Sequence, residues 1–132
     1  MNEVHVVVEA EIKPTEDPEK VRRAVENIIG EAEYEVKRWN HGALLTARAE
    51  GRESLVKFKT LLRVERIQAA ARAELRRWTA GNTITIHLNK QAAYMGRVSF
   101  SEPTAESPLG PIKIQIKCEK PSALIEWLTS EI

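Results

Sequence analysis

The chain has 132 residues, 42% of them hydrophobic and 30% charged, which fits one globular domain spanning 1–132 and excludes a disordered or fibrous chain. No apolar run approaches the ~20 residues of a membrane span, and a chain of this size buries enough core to need no metal or disulfide staple. Twenty Lys and Arg against nineteen Asp and Glu leave a formal charge of +1, which excludes a globally basic nucleic-acid binder.

In Val4 to Lys13, Val4, Val6, Val8, Ala10 and Ile12 alternate with polar residues, which predicts a strand with one buried face. Asp17 is a natural N-cap and Pro18 suits the first helical position. Val21, Ala24, Val25, Ile28 and Ile29 then follow a helical period that Gly30 closes. Tyr34 to Trp39 and Ala43 to Ala49 read as a hairpin joined by Asn40-His41-Gly42.

Residues 52–78 contain no Pro or Gly and are helical in propensity, but the apolar stripe changes face. Leu55, Phe58 and Leu62 form one stripe and Val64, Ile67, Ala71, Leu75 and Trp78 another. At 100° per residue the two are rotated by roughly half a turn, which predicts two helices with a break near Leu62-Arg63-Val64. Thr83 to Leu88 alternates as a strand, Asn89 caps a short turn, and Arg97 to Phe100 suggests a second short strand. Glu102 to Pro111 holds three prolines and a glycine and reads as a loop. Ile112 to Cys118 alternates again, and Pro121 to Ile132 closes as a helix burying Leu124, Trp127 and Leu128. Half-buried strands point to an α+β fold, an antiparallel sheet with helices packed on one face.

The charge is polarised along the chain. Residues 1–35 carry ten acids and four bases, residues 36–78 eleven bases and four acids, and residues 79–132 five of each. Much of the basic excess falls on Leu61 to Trp78, in Arg63, Arg66, Arg72, Arg76 and Arg77, with small alanines between them. Guanidinium forks grip phosphate with paired donors, which lysine cannot do. The competing reading is an ordinary solvated face with Glu65 and Glu74 as partners. A second candidate is His87 to Gly96, where Asn89, Lys90 and Gln91 offer donors to phosphate, ribose or a base edge. A third is the open sheet face, where Thr85, His87, Lys113, Gln115, Lys117, Lys37 and Arg48 are expected beside Glu9, Glu11 and Glu35.

Catalysis has little support. His5, His41 and His87 have no metal-binding spacing, and Cys118 lies on an apolar strand face. No nucleophile motif, phosphate-binding loop or paired-carboxylate motif is present. The expectation is a non-enzyme without a cofactor or metal. A single cysteine excludes an internal disulfide, and Met1-Asn2-Glu3 opens no signal peptide, which together favour the cytoplasm.

Three segments resemble an uncharacterised archaeal family of predicted RNA-binding proteins, loosely related to proposed exosome-associated proteins. They are Leu61-Leu62-Arg63-Val64-Glu65-Arg66-Ile67-Gln68-Ala69-Ala70-Ala71-Arg72, His87-Leu88-Asn89-Lys90-Gln91-Ala92-Ala93 and Ser107-Pro108-Leu109-Gly110-Pro111-Ile112. The resemblance runs the length of the chain. It implies a fold like that of the ribosomal protein that binds 5S RNA in the large subunit, and RNA as the partner. The resulting expectation is recognition of structured RNA through phosphate and shape. Arg63, Arg66, Arg72, Arg76 and Arg77 would contact phosphates, with Asn89, Lys90 and Gln91 adding hydrogen bonds. Two alternatives stand beside it: a protein-interaction module that forms a homodimer or a heteromeric complex, and a small-molecule enzyme with a polar site near His87.

Overall fold

The alternating valines near the N-terminus become β1 (Val4–Ile12), with Val4, Val6, Val8, Ala10 and Ile12 all buried. The computed structural model describes residues 3–103 and 110–131. After β1 comes α1 (Pro18–Ile28), capped by Asp17, whose carboxylate accepts the Glu19 N–H at 3.0 Å. The hairpin is β2 (Glu33–Trp39) and β3 (Gly42–Glu50), turned at Asn40 with φ 54°. Gly42 lies so close to the Ile12 carbonyl that a Cβ there would collide with it. A 3-10 turn (Arg52–Leu55) leads into α2 (Val56–Val64) and α3 (Gln68–Arg77). The remainder is β4 (Thr79–Ala80), β5 (Thr83–Asn89), α4 (Lys90–Tyr94), β6 (Phe100–Ser101), β7 (Pro111–Cys118) and α5 (Pro121–Leu128).

Among the described residues the strands form one antiparallel sheet in the order β2-β3-β1-β7-β5-β4, with β6 paired to β5. Register sets the two faces, because side chains alternate across a strand. Val8 lies opposite Ala47 and Ile114, and Ile114 opposite Ile86, so one face is continuously apolar. The helices cover that face. Ile28 and Leu45, Phe58 and Leu62, Leu75 and Ile84, and Leu124 with Leu128 fill a single core. Burying each such side chain contributes about 1.5–3 kcal/mol. The expected α+β class and one-sided helix layer are therefore observed.

The differences are local. The break between the two central helices falls at residues 65–67, directly after Leu62-Arg63-Val64, because α2 completes its last turn before reversing. The short strand is Phe100–Ser101 instead of Arg97–Phe100, since Arg97 donates its N–H to the Ala92 carbonyl at 2.9 Å and so belongs to the end of α4. The C-terminal helix stops at Leu128, where the Thr129 hydroxyl donates back to the Ile125 carbonyl at 2.8 Å. Most of the loop expected over Glu102 to Pro111, with most of the Ser107-Pro108-Leu109-Gly110 segment, lies outside the described residues.

Candidate nucleic-acid interface

The end of α2 is closed by its own backbone. The Ile67 N–H donates to the Leu62 carbonyl at 3.0 Å and the Arg66 N–H to the Arg63 carbonyl at 3.1 Å. This is the paired closure in which the residue just past the helix takes a left-handed conformation, a position that usually belongs to glycine. Here Arg66 fills it, with φ 57°. A side chain in that conformation costs about 1 kcal/mol relative to glycine. The strain has a geometric result: Arg66 is exposed at a corner, its backbone bonded to Arg63 in the last turn of α2.

A third arginine joins this corner from elsewhere in the chain. Glu65 turns inward and its carboxylate accepts the Val98 N–H at 3.0 Å, which fastens the segment after α4 to the bend. Arg97, next to Val98, is exposed there. Among the described residues no acid lies within ion-pair distance of Arg63, Arg66 or Arg97. Arg97 was not among the residues that sequence reasoning singled out. It has no periodic neighbours, and only the long-range Glu65–Val98 bond brings it to the other two.

The arginines of α3 are placed differently. Arg72 donates to the Thr129 hydroxyl at 3.0 Å and lies 3.6 Å from Glu126, and Arg76 lies 3.9 Å from the same carboxylate. Arg77 lies 3.2 Å from Glu102 and 3.6 Å from Glu74, with its guanidinium over the Trp78 ring. The helix break thus separates the expected five-arginine face into an unpaired corner and a paired flank.

The 89–91 segment needs a correction. The Asn89 side-chain Oδ1 accepts the Ala92 N–H at 2.8 Å, so the side chain is the N-cap of α4. The Lys90 side chain is only 5% exposed. Its ammonium donates to the Glu11 carbonyl at 2.6 Å and to Glu16 at 3.1 Å. Burial pushes this ammonium below its ordinary pKa, while the Glu16 carboxylate acts in the opposite sense. Asn89 and Lys90 therefore hold α4 against β1 and the start of α1 instead of offering donors to solvent. Asn27 completes the joint by donating to the Ala93 and Tyr94 carbonyls. Gln91 alone of the three is exposed.

The open sheet face is of mixed charge. Lys113 lies 3.9 Å from Glu9, Lys37 lies 3.8 Å from Glu35, and His5 contacts Glu50. It is not a basic platform. His87 points to this face, whereas Leu88 and Lys90 are buried on the helix side. A cleft of about 460 Å³ does lie beside Lys90, lined by residues that include Glu16, Lys20, Gln91 and Tyr94. His87 is on the opposite side of the sheet, so His87, Asn89 and Lys90 do not converge on one polar site. Among the described residues no cluster of His, Cys, Asp or Glu could hold a metal ion, and no helix is long and apolar enough to cross a membrane.

Comparison with known proteins adds to this geometry. A family model described as RNA binding matches residues 5–118. A UPF0201 protein of Sulfurisphaera tokodaii is 43% identical over 94% of this chain and 86% of its own length. The chain belongs to the archaeal UPF0201 family. A Thermococcus kodakarensis UPF0201 protein is likewise 43% identical, over 93% of this chain and 87% of its own. The crystal structure of a UPF0201 protein from Methanococcus jannaschii superposes with a TM-score of 0.83 at 31% identity, covering 95% of this chain and 92% of that one. The α+β sheet and helix layer are thus a UPF0201 architecture. The family's RNA-binding description covers both the α2–α3 bend and the segment at Arg97.

Proposed function

We propose that this UPF0201 protein binds structured RNA through phosphate and shape contacts, without catalysing a reaction on it. The observation that carries the reading is the corner of Arg63, Arg66 and Arg97, three exposed guanidiniums with no acidic partner among the described residues. Arginine held in a conformation that favours glycine has a stability cost, and such costs cluster where function uses the side chain. Arg76 and Arg77 extend the contact along α3. Their surface pairs are each worth under about 1 kcal/mol, so a phosphate can displace the carboxylates. Gln91 adds a donor beyond them. Arg72, with Asn89 and Lys90, supports the surface from within. Base readout is minor, because the described residues offer no row of exposed aromatic rings for stacking. The same reading takes the fold as akin to the ribosomal protein that binds 5S RNA, and places the protein with an RNA-processing assembly in the cytoplasm.

The test is a filter-binding titration of the full chain with structured RNA at several salt concentrations, using one double and one single variant. Arg63→Ala with Arg66→Ala is expected to lower the slope of log K against log salt by about 1.5–2, two phosphate contacts' worth. Arg72→Ala alone should leave the slope within about half a unit of wild type, because Arg72 faces Thr129 and Glu126. Equal slopes for wild type and the Arg63/Arg66 variant, or no salt-dependent binding at micromolar protein, would overturn the proposal.

A further inference from the structure

The sheet ends on one side in β2, which pairs only with β3 among the described residues. The helix layer reaches only its start, where Arg22 of α1 lies over the Tyr34 ring, and every residue from Glu35 to His41 is exposed on whichever face it occupies. Val36 is 56% exposed and Trp39 47%. An edge strand with free backbone donors and acceptors and apolar side chains is a template for a further strand, and folds usually shorten, bend or cover such edges. This one is seven residues long and exposed from Glu35 onward.

Its sequence reads Glu33-Tyr34-Glu35-Val36-Lys37-Arg38-Trp39, with the acids before Val36 and the bases after it. We propose that β2 is a dimerisation edge, pairing antiparallel with β2 of a second copy across a twofold axis at Val36. In that register Val36 meets Val36, Glu35 meets Lys37 twice, and Tyr34 meets Arg38 twice. Opposed residues share a face, as antiparallel pairing requires. A shift to either neighbouring register that keeps the faces matched is worse. Centring on Glu35 sets Glu35 against Glu35, and centring on Lys37 sets Lys37 against Lys37. Charge therefore selects both the partner and the register. A foreign strand would require no such self-complementarity, whereas a twofold interface does. Glu35 and Lys37 are only loosely engaged within the strand, at 3.8 Å, and each is free to meet the partner's opposite charge.

One strand a side is a small interface, so association is expected to be weak, with a dissociation constant in the range of about 1–100 µM. Sedimentation of the full chain across that range tests it. Wild type should pass from monomer to dimer. Glu35→Lys and Lys37→Glu each set like charges opposite one another twice, and each alone should weaken dimerisation by about tenfold or more. Mixing the two variants should restore it as a heterodimer, since Lys at 35 then faces Glu at 37 and Glu at 35 faces Lys at 37. Loss of folding cannot produce that rescue. A wild-type monomer throughout the range, a dimer indifferent to both variants, or a mixture that stays monomeric would overturn the proposal, as would a dimer held through another surface or a β2 edge that takes only a foreign strand.

Discussion

Two corners of this molecule use the same kind of residue in opposite ways. At the junction of β1, α1 and α4, Lys90 is enclosed, and its ammonium is matched by the Glu11 carbonyl and the Glu16 carboxylate. At the α2–α3 bend, Arg63 and Arg66 stand outside the core with no acid in ion-pair distance among the described residues. The first cation is part of the fold and the second is spare. A near-zero net charge conceals this difference, because the chain neutralises its bases one at a time: Glu16 against Lys90, Glu126 against Arg72 and Arg76, Glu102 against Arg77. Arg63, Arg66 and Arg97 are among the exposed bases left unmatched, and a group of them at one bend is the electrostatic footprint a phosphate backbone can use.

The sharpest way to break the comparison is to remove the enclosed cation. Lys90→Met leaves the Glu16 carboxylate, itself only 10% exposed, without its countercharge. Removing one partner of a buried pair costs about 3–5 kcal/mol. Urea unfolding should therefore show a loss of about 3 kcal/mol. Adding Glu16→Gln should recover part of it, because the stranded charge is then gone. RNA binding by the folded fraction should keep the wild-type salt slope. A stable Lys90→Met variant whose slope falls by about 1 would move Lys90 into the spare class.

The bend offers a smaller effect of the opposite sign. Arg66→Gly places the preferred residue at φ 57° and should stabilise the protein by about 1 kcal/mol. The same change removes one exposed guanidinium, so the salt slope of RNA binding should fall by about 1. Stability and binding moving in opposite directions at one residue would show that the strain is retained for the side chain. A thermal melt and a binding titration on the same variant decide it. If Arg66→Gly leaves binding unchanged, the bend is only a helix terminus.

The two corners were not equally legible in the sequence. Strand alternation at Val4 to Ile12 and Ile112 to Cys118 marks the sheet faces directly, since a period of two admits few other packings. The rotated apolar stripe marks two central helices, and Asp17-Pro18 marks the start of α1, because these are local rules. Arg63 and Arg66 could be picked out as arginines but not separated from Arg72, Arg76 and Arg77. The separation depends on Glu102 and Glu126, which lie 25 or more residues away. Lys90 looked like a donor in a polar strand-end segment. Its enclosure comes from Glu11 and Glu16, more than 70 residues earlier. Arg97 carried no local signal at all. Sequence periodicity reports burial of apolar groups well, but the pairing of charges is a long-range property of the finished fold.

The smallest effect concerns His87, a third treatment of a basic group. Its ring lies on the open sheet face, opposite Lys113 on β7 and Ser101 on β6, with Nδ1 buried and unpartnered. Burial, and then the Lys113 charge, lower its pKa below the ordinary histidine value, with Glu102 acting weakly the other way. The unfolded chain takes up this proton more readily than the native one. Stability is then fully present above the ordinary histidine value, near pH 6.5, and is lost as the pH falls below it. The loss levels off once the native imidazole is protonated too. A change of pH acts on the whole chain, so wild type must be set against His87→Gln. Between pH 7 and pH 5 the wild type should lose more stability than the variant. Parallel losses would mean that the native fold accepts a charge at His87, and the open face would then belong with the bend as a surface able to hold a cation for an anionic partner.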